Sequence, residues 1–241
     1  MYCFDAGKGG LLWERSVQIA AASPAPAEAP AIPEQTGYAA STMATDGRRV
    51  YVIFANGDLA AFTLTGNPVW SKALGIPKNP YGHAASLITW QDRLLVQLDQ
   101  GESEQRLSKL YAFAGATGQI LWQRQRPSPS SWATPLVISA AGKPPSLSET
   151  VGQASSLPVH GASSPRLSCG RTPPEPADKS SAPHPQTGSQ IITLGVPFVI
   201  AYAPEDGAEI WRAEALNGEV TPSPIFAGGM VLAISPSEKL L

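Results

Sequence analysis

The chain has 241 residues, of which 24 are proline and 22 glycine; charged residues are only 15% and the formal net charge is −2. That balance suits a β-rich protein with many turns. Without a Lys/Arg cluster a nucleic-acid partner is not expected, and without a run of eighteen apolar residues neither is a membrane-spanning helix.

The opening, "MYCFDAGKGG", lacks the charged lead and apolar core of an export signal and reads as the start of a strand. Its glycine begins a series. Gly9–Trp13, Gly66–Trp70, Gly118–Trp122 and Gly207–Trp211 share one spacing. Six residues before the glycine stand Cys3, Ala112 and Ala201, each followed by an aromatic residue; the second copy has Ala61-Phe62 with a turn one residue shorter. Each copy reads as a hairpin: a small residue for close strand approach, a glycine for the turn, and a tryptophan whose area one hairpin cannot bury alone. Gly9, Trp13, Gly66, Trp70, Ala112, Gly118, Trp122, Ala201, Gly207 and Trp211 are thus expected to be structural repeat residues.

A second signature alternates with the first. In segments 39–54, 84–98 and 221–234 a hydroxyl residue (Ser41, Ser86, Ser223) precedes a turn pair (Asp46-Gly47, Gln91-Asp92, Gly228-Gly229) and then an aliphatic run. "WATPLVISAAGK" (132–143) follows the same plan with a longer turn. Short apolar runs between turn signals are strands. The units therefore sum to a half blade at 2–15, whole blades at 39–72, 83–124 and 131–213, and a half blade at 220–235. That makes sixteen strands in about four blade-equivalents of an all-β, four-stranded antiparallel β-propeller.

The segment 144–189 breaks the pattern. It holds nine prolines, ten serines and no Phe, Trp or Tyr, too little apolar surface to offset the entropy of ordering. It is expected to be a disordered insertion between the first two strands of the third blade, derived from a repetitive DNA element. Without it, Trp122 and Trp211 stand 43 residues apart, an ordinary blade length. The organisation is then 1–143 (a half blade, two blades and the start of a third), 144–189 (insertion) and 190–241 (the rest). The Ala/Pro stretch 20–35 reads as a flexible or extended connection.

"LYAFAGATGQILW", "VIAYAPEDGAEIW" and "YCFDAGKGGLLW" resemble the tryptophan motif of pyrroloquinoline-quinone (PQQ)-type propeller repeats. The order of segments is similar to that of PQQ-binding-like β-propeller proteins of the quinoprotein alcohol dehydrogenase-like superfamily. The motif aspartate survives only at Asp5, replaced elsewhere by Thr63, Ala114 and Ala203. The resemblance implies a non-catalytic bacterial propeller, periplasmic or secreted, that binds a protein or polymer partner. It also implies two alternatives: part of a PQQ-dependent dehydrogenase, with the quinone and calcium on the central axis, or a propeller that assists outer-membrane assembly. The half blades at both ends suggest an incomplete product of a larger gene, with the remaining blades supplied by flanking sequence.

No catalytic, metal or cofactor-binding set is recognisable. The adjacent Cys-Cys pair frequent in quinoprotein dehydrogenases does not occur, and Asn56, Asn67, Asn79 and Asn217 fall in turns. Cys3 reads as a small core residue. His160, Cys169 and His184 lack the close spacing of zinc ligands. Asp99, Glu102 and Glu104 lack a calcium-loop pattern and read as a solvated hairpin loop. His83, just before an inner strand, is the one candidate for a channel-facing loop residue, and a hydrogen-bonded loop histidine is the plainer reading. Trp90 and Trp132, outside the repeat frame, read as packing residues.

Overall fold

In a computed structural model, residues 1–17, 19, 32–34, 36–139 and 188–235 are described. Sixteen strands and a single 3-10 turn at Ser103–Gln105 account for their regular structure. A two-stranded sheet comes first, β1 (Tyr2–Phe4) with β2 (Leu11–Glu14). Blade A is β3 (Ala44–Thr45), β4 (Arg49–Ile53), β5 (Asp58–Thr63) and β6 (Pro68–Ala73). Blade B is β7 (Ile88–Trp90), β8 (Arg93–Leu98), β9 (Lys109–Ala114) and β10 (Ile120–Gln125). Blade C is β11 (Leu136–Ser139), β12 (Ser189–Gly195), β13 (Phe198–Tyr202) and β14 (Glu209–Glu214). A second two-stranded sheet, β15 (Ile225–Ala227) with β16 (Met230–Leu232), follows. Within each sheet the strands pair antiparallel in chain order.

The central strands are apolar in nearly every position because both faces of each sheet are covered. Side chains alternate sides along a strand, so Tyr51 and Ile53 enter the core between blades A and B, while Val52 packs with Met1 and Val17 on the other side. Leu94 and Val96 join the A–B core, and Leu95 joins the B–C core with Ile191 and Ile200. Ile192 and Leu194 turn to the last core, where Phe226 and Val231 of the terminal sheet pack. The cores thus lie between sheets.

Two details depart from the sequence pattern. Blade A's hydroxyl equivalent to Ser86 is Thr42, not Ser41. Asp46 pairs back to Arg49 as Trp90 pairs with Arg93, so the turn residues are Gly47-Arg48 and the frame shifts by one. Asp46 is held where it is by structure: burial acts to raise its carboxyl, but hydrogen bonds from the Tyr51 hydroxyl (2.7 Å) and the Arg48 and Arg49 N–H groups, with the Arg49 guanidinium, bring it below the usual range. The insertion expected at 144–189 lies almost wholly outside the described residues. Ser139 and Ser189 pair across its ends, joining the first and second strands of blade C. Most of the 20–35 stretch also lies outside them.

The register shows what the repeat encodes. Cys3, Ala61, Ala112 and Ala201 sit directly opposite Trp13, Trp70, Trp122 and Trp211. A bulge follows beside each pair, and the turn glycines adopt positive φ, as at Gly118 (69°). Each tryptophan of the first three copies lies flat against the next sheet's glycine. A Cβ on Gly66 would come 2.8 Å from Trp13, one on Gly118 2.6 Å from Trp70, and one on Gly207 2.6 Å from Trp122. No side chain fits there. Gly118→Ala combines a left-handed backbone with a clash against a large ring and is expected to cost about 2–4 kcal/mol, measurable as a lower urea midpoint with an unchanged m-value.

Candidate functional site

The repeat residues meet at the blade junctions, where polar contacts reinforce the ring packing. Trp13 Nε1 donates to Leu64 O (3.1 Å), Trp70 Nε1 to Gly115 O (2.9 Å) and Trp122 Nε1 to Pro204 O (3.1 Å). Each acceptor lies three residues after the small motif residue, so one geometry recurs three times. Trp211 differs: its Nε1 donates to Gln190 Oε1 of its own blade (3.0 Å). Two further residues strengthen the joints: Arg15 Nε donates to Gly66 O (2.7 Å) and Arg124 Nε to Gly207 O (3.2 Å). Both stand two positions after the motif tryptophan. Lys72 holds that place in blade A and lies over the Phe113 ring instead, 5.4 Å from its centroid.

A second set of joints runs along the loops entering the inner strands. Thr42 N–H donates to Ser86 Oγ, Ser86 N–H to Thr134 Oγ1 and Thr134 N–H to Ser223 Oγ, each at 3.0 Å. The four residues each precede the first residue of their inner strand by two. A hydroxyl suits this place because it accepts from the neighbouring blade's backbone without adding bulk. The recurrence of Ser86 and Ser223 was visible in the sequence; the donor–acceptor chain was not.

Asp99 corrects the reading of its neighbourhood as a solvated loop. Glu102 and Glu104 are exposed, but Asp99 is 3% exposed and paired with the buried Arg126, Nε to Oδ1 at 2.7 Å. Ser131 Oγ (2.6 Å) and Gln97 Nε2 (2.8 Å) also donate to Asp99 Oδ2. Arg126 Nη2 and Gln97 Nε2 reach Leu194 O of blade C (3.2 and 3.1 Å), so the cluster bridges blades B and C. It has two loose ends, Gln97 Oε1 and the Tyr202 hydroxyl, both buried without a partner. Sequence reasoning missed Arg126 entirely. It stands just past a strand, two residues after Arg124, and only the pairing across 27 residues gives it meaning.

His83 is 3% exposed and does not face open space. Its backbone N–H donates to Ala55 O (2.9 Å), its backbone carbonyl accepts from Ser41 Oγ (3.3 Å), and the ring Nε2 has no partner. Burial pushes the imidazole down to about 4, opposed only by the Ala85 backbone. Trp90 packs in the B–C core with Arg93 over its ring, 5.3 Å away. Trp132 donates to Asn79 Oδ1 (3.0 Å) and meets Tyr81 edge-on at 5.2 Å. Cys3 is a free thiol, half-buried opposite Trp13. Among the described residues no group of three or more His, Cys, Asp and Glu side chains is placed to hold a metal, and no helix is long and apolar enough to cross a membrane.

The family model described as outer membrane protein assembly factor BamB matches residues 1–157. The chain belongs to that family. Its repeats are PQQ-type, and one solved structure with a TM-score above 0.5 shares the fold. Quinohemoprotein alcohol dehydrogenase from Comamonas testosteroni is 12% identical, with 96% of this chain and 36% of that one covered at a TM-score of 0.51. BamB from Moraxella catarrhalis is 14% identical over 88% of this chain and 57% of that one, at a TM-score of 0.40. A europium-containing methanol dehydrogenase is 9% identical over 90% and 47%, at 0.43. The chain thus spans between 36% and 57% of the length of these proteins. No curated protein matches it.

Two outcomes follow from the BamB-family chain's buried polar groups. Asp99→Ala leaves Arg126 charged and unpaired and is expected to cost about 3–5 kcal/mol in urea unfolding, much of it recovered by adding Arg126→Met. For His83 the folded state resists a proton that the unfolded chain accepts near pH 6.5. Stability present above pH 6.5 therefore declines as pH falls, by about 3 kcal/mol at most, and levels off below about 4. In His83→Gln the loss of Tm between pH 7 and pH 4.5 is expected to be smaller than in the parent chain.

Proposed function

We propose that this chain is part of a non-catalytic propeller that works outside the cytoplasm as a rigid binding platform. The observation that carries the reading is the position of two acid–base groups, Asp99 and His83. Asp99 is saturated by Arg126, Ser131 and Gln97, and His83 is sealed between blades, so each serves packing where a catalyst would need access to substrate. A group that must touch a substrate has to be reachable from it. The recurring geometry of the repeats is likewise spent on joining sheets, leaving the loops between strands as the surface on which a partner would bind.

The match of the BamB family model to residues 1–157 favours a protein partner within outer-membrane assembly over a quinone on the axis. A dehydrogenase part is the competing reading, because the quinohemoprotein alcohol dehydrogenase shares the fold. The two separate on ligand chemistry. Titration of the chain with PQQ in the presence of Ca²⁺ is expected to leave quinone absorbance and tryptophan fluorescence unchanged, while a purified outer-membrane barrel-assembly protein binds saturably. Stoichiometric quinone binding, or dye-linked alcohol oxidation, would overturn the platform reading.

A further inference from the structure

The chain has four asparagines, and the residue after each decides what its amide can do. Asn67 and Asn79 precede proline, whose nitrogen carries no hydrogen, whereas Asn56 and Asn217 precede glycine. In an Asn-Gly pair the glycine nitrogen can attack the asparagine side-chain carbonyl, because no Cβ on the second residue obstructs the approach. The attack needs a backbone N–H that is not already engaged. It also needs an amide free to turn toward that nitrogen, with its oxygen able to take up negative charge. The two Asn-Gly pairs differ on each count.

Asn56-Gly57 is locked. Gly57 N–H donates to Phe54 O (2.8 Å), and the backbone of Gly75 stands so close that a Cβ on Gly57 would run into its carbonyl. The Asn56 amide is tied at both atoms to one residue: Oδ1 accepts from Asp58 N–H (3.1 Å) and Nδ2 donates to Asp58 Oδ2 (2.8 Å). Neither nucleophile nor amide is free to move.

Asn217-Gly218 has no such lock. Among the described residues Gly218 N–H and Asn217 Nδ2 have no hydrogen-bond acceptor, and both residues are exposed to the water the chemistry needs. Asn217 Oδ1 meets the Ser235 hydroxyl, whose Oγ lies 2.9 Å away. That hydroxyl is itself held in place, because Ser235 Oγ accepts from Asn217 N–H (2.7 Å). A hydroxyl aimed at a carbonyl oxygen stabilises the oxyanion that forms when the carbon is attacked. The contact joins the stretch after β14 to the stretch after β16.

We propose that Asn217-Gly218 is a site of self-promoted deamidation, with Ser235 Oγ as the oxyanion donor. Gly218 N gives its proton to solvent base and bonds to Asn217 Cγ. The Cγ–Nδ2 bond breaks, Nδ2 takes a proton and leaves as ammonia, and a five-membered succinimide remains. Water opens that ring at either carbonyl, leaving aspartate or isoaspartate; nothing is oxidised or reduced. In the isoaspartate product the main chain runs through the former side chain and is longer by a methylene. The backbone at 217 then no longer fits Ser235, and the tie between the two stretches is lost.

The test incubates the full chain at mildly alkaline pH and follows it by peptide mapping, with isoaspartate labelled by an isoaspartyl methyltransferase. The peptide holding Asn217 is expected to convert severalfold faster than the one holding Asn56, and the two rates to converge once the chain is unfolded in urea. Ser235→Ala is expected to slow conversion at Asn217 severalfold. Slow conversion at Asn56 in the same sample shows that this variant is still folded. Equal rates at the two sites in the folded chain, or faster conversion at Asn56, would overturn the assignment of the site. An unchanged or faster rate at Asn217 in folded Ser235→Ala would overturn the part given to the hydroxyl.

Discussion

A four-stranded sheet with aliphatic residues on both faces cannot be stable by itself, and everything in this protein follows from how it is stacked. Each blade needs a neighbour on either side, at a fixed distance and angle. The tryptophan seated on the next blade's glycine sets that distance. Trp70 on Gly118 and Trp122 on Gly207 leave no room for even a methyl group, so the sheets approach to a limit defined by an aromatic ring and bare backbone. The indole N–H then fixes the ring's orientation by donating to a carbonyl of the next blade. Area alone would allow the sheets to slide; the hydrogen bond does not.

Three kinds of joint work at different radii of the stack. Apolar side chains from the central strands fill the space between sheets. The tryptophan seats and the arginines beyond them tie the outer strands, and the Thr42–Ser86–Thr134–Ser223 row ties the loops ahead of the inner ones. Among the described residues, one junction also holds a buried charged pair: Arg126 and Asp99, both of blade B, and Arg126 reaches Thr193 and Leu194 O of blade C. Those bonds satisfy the guanidinium only while blade C stands in place, so they disfavour any arrangement that draws the two blades apart.

This division of labour bears on function. In the BamB family chain described here, the residues best marked in sequence are those that join blades, and His83 and Asp99 have been drawn into the same task. Neither is open to a ligand. Tyr81 and Trp132, by contrast, meet edge-on in loops between strands, where Tyr81 is exposed.

The architecture was legible in the sequence because its signals are local. A glycine, a tryptophan four residues later and a small residue six before lie within one hairpin, and a hairpin's register depends on its own turn and side chains. The sixteen strands, their grouping and the position of the interruption between β11 and β12 all follow from such short-range patterns. The sequence pattern points to Ser41 where the structure uses Thr42, because the turn's true centre, Gly47-Arg48, is set by the Asp46–Arg49 pairing. The burial of Asp99 and His83 could not be read at all. Beside Glu102 and Glu104, Asp99 looks like a surface acid, and only the approach of Arg126 and Leu194 O, from 27 and 95 residues away, encloses it. Local sequence determined the blades and the parts of each seat. Tertiary structure alone decided which ring meets which glycine and which polar groups are sealed in, because those depend on contacts between sheets that no single segment encodes.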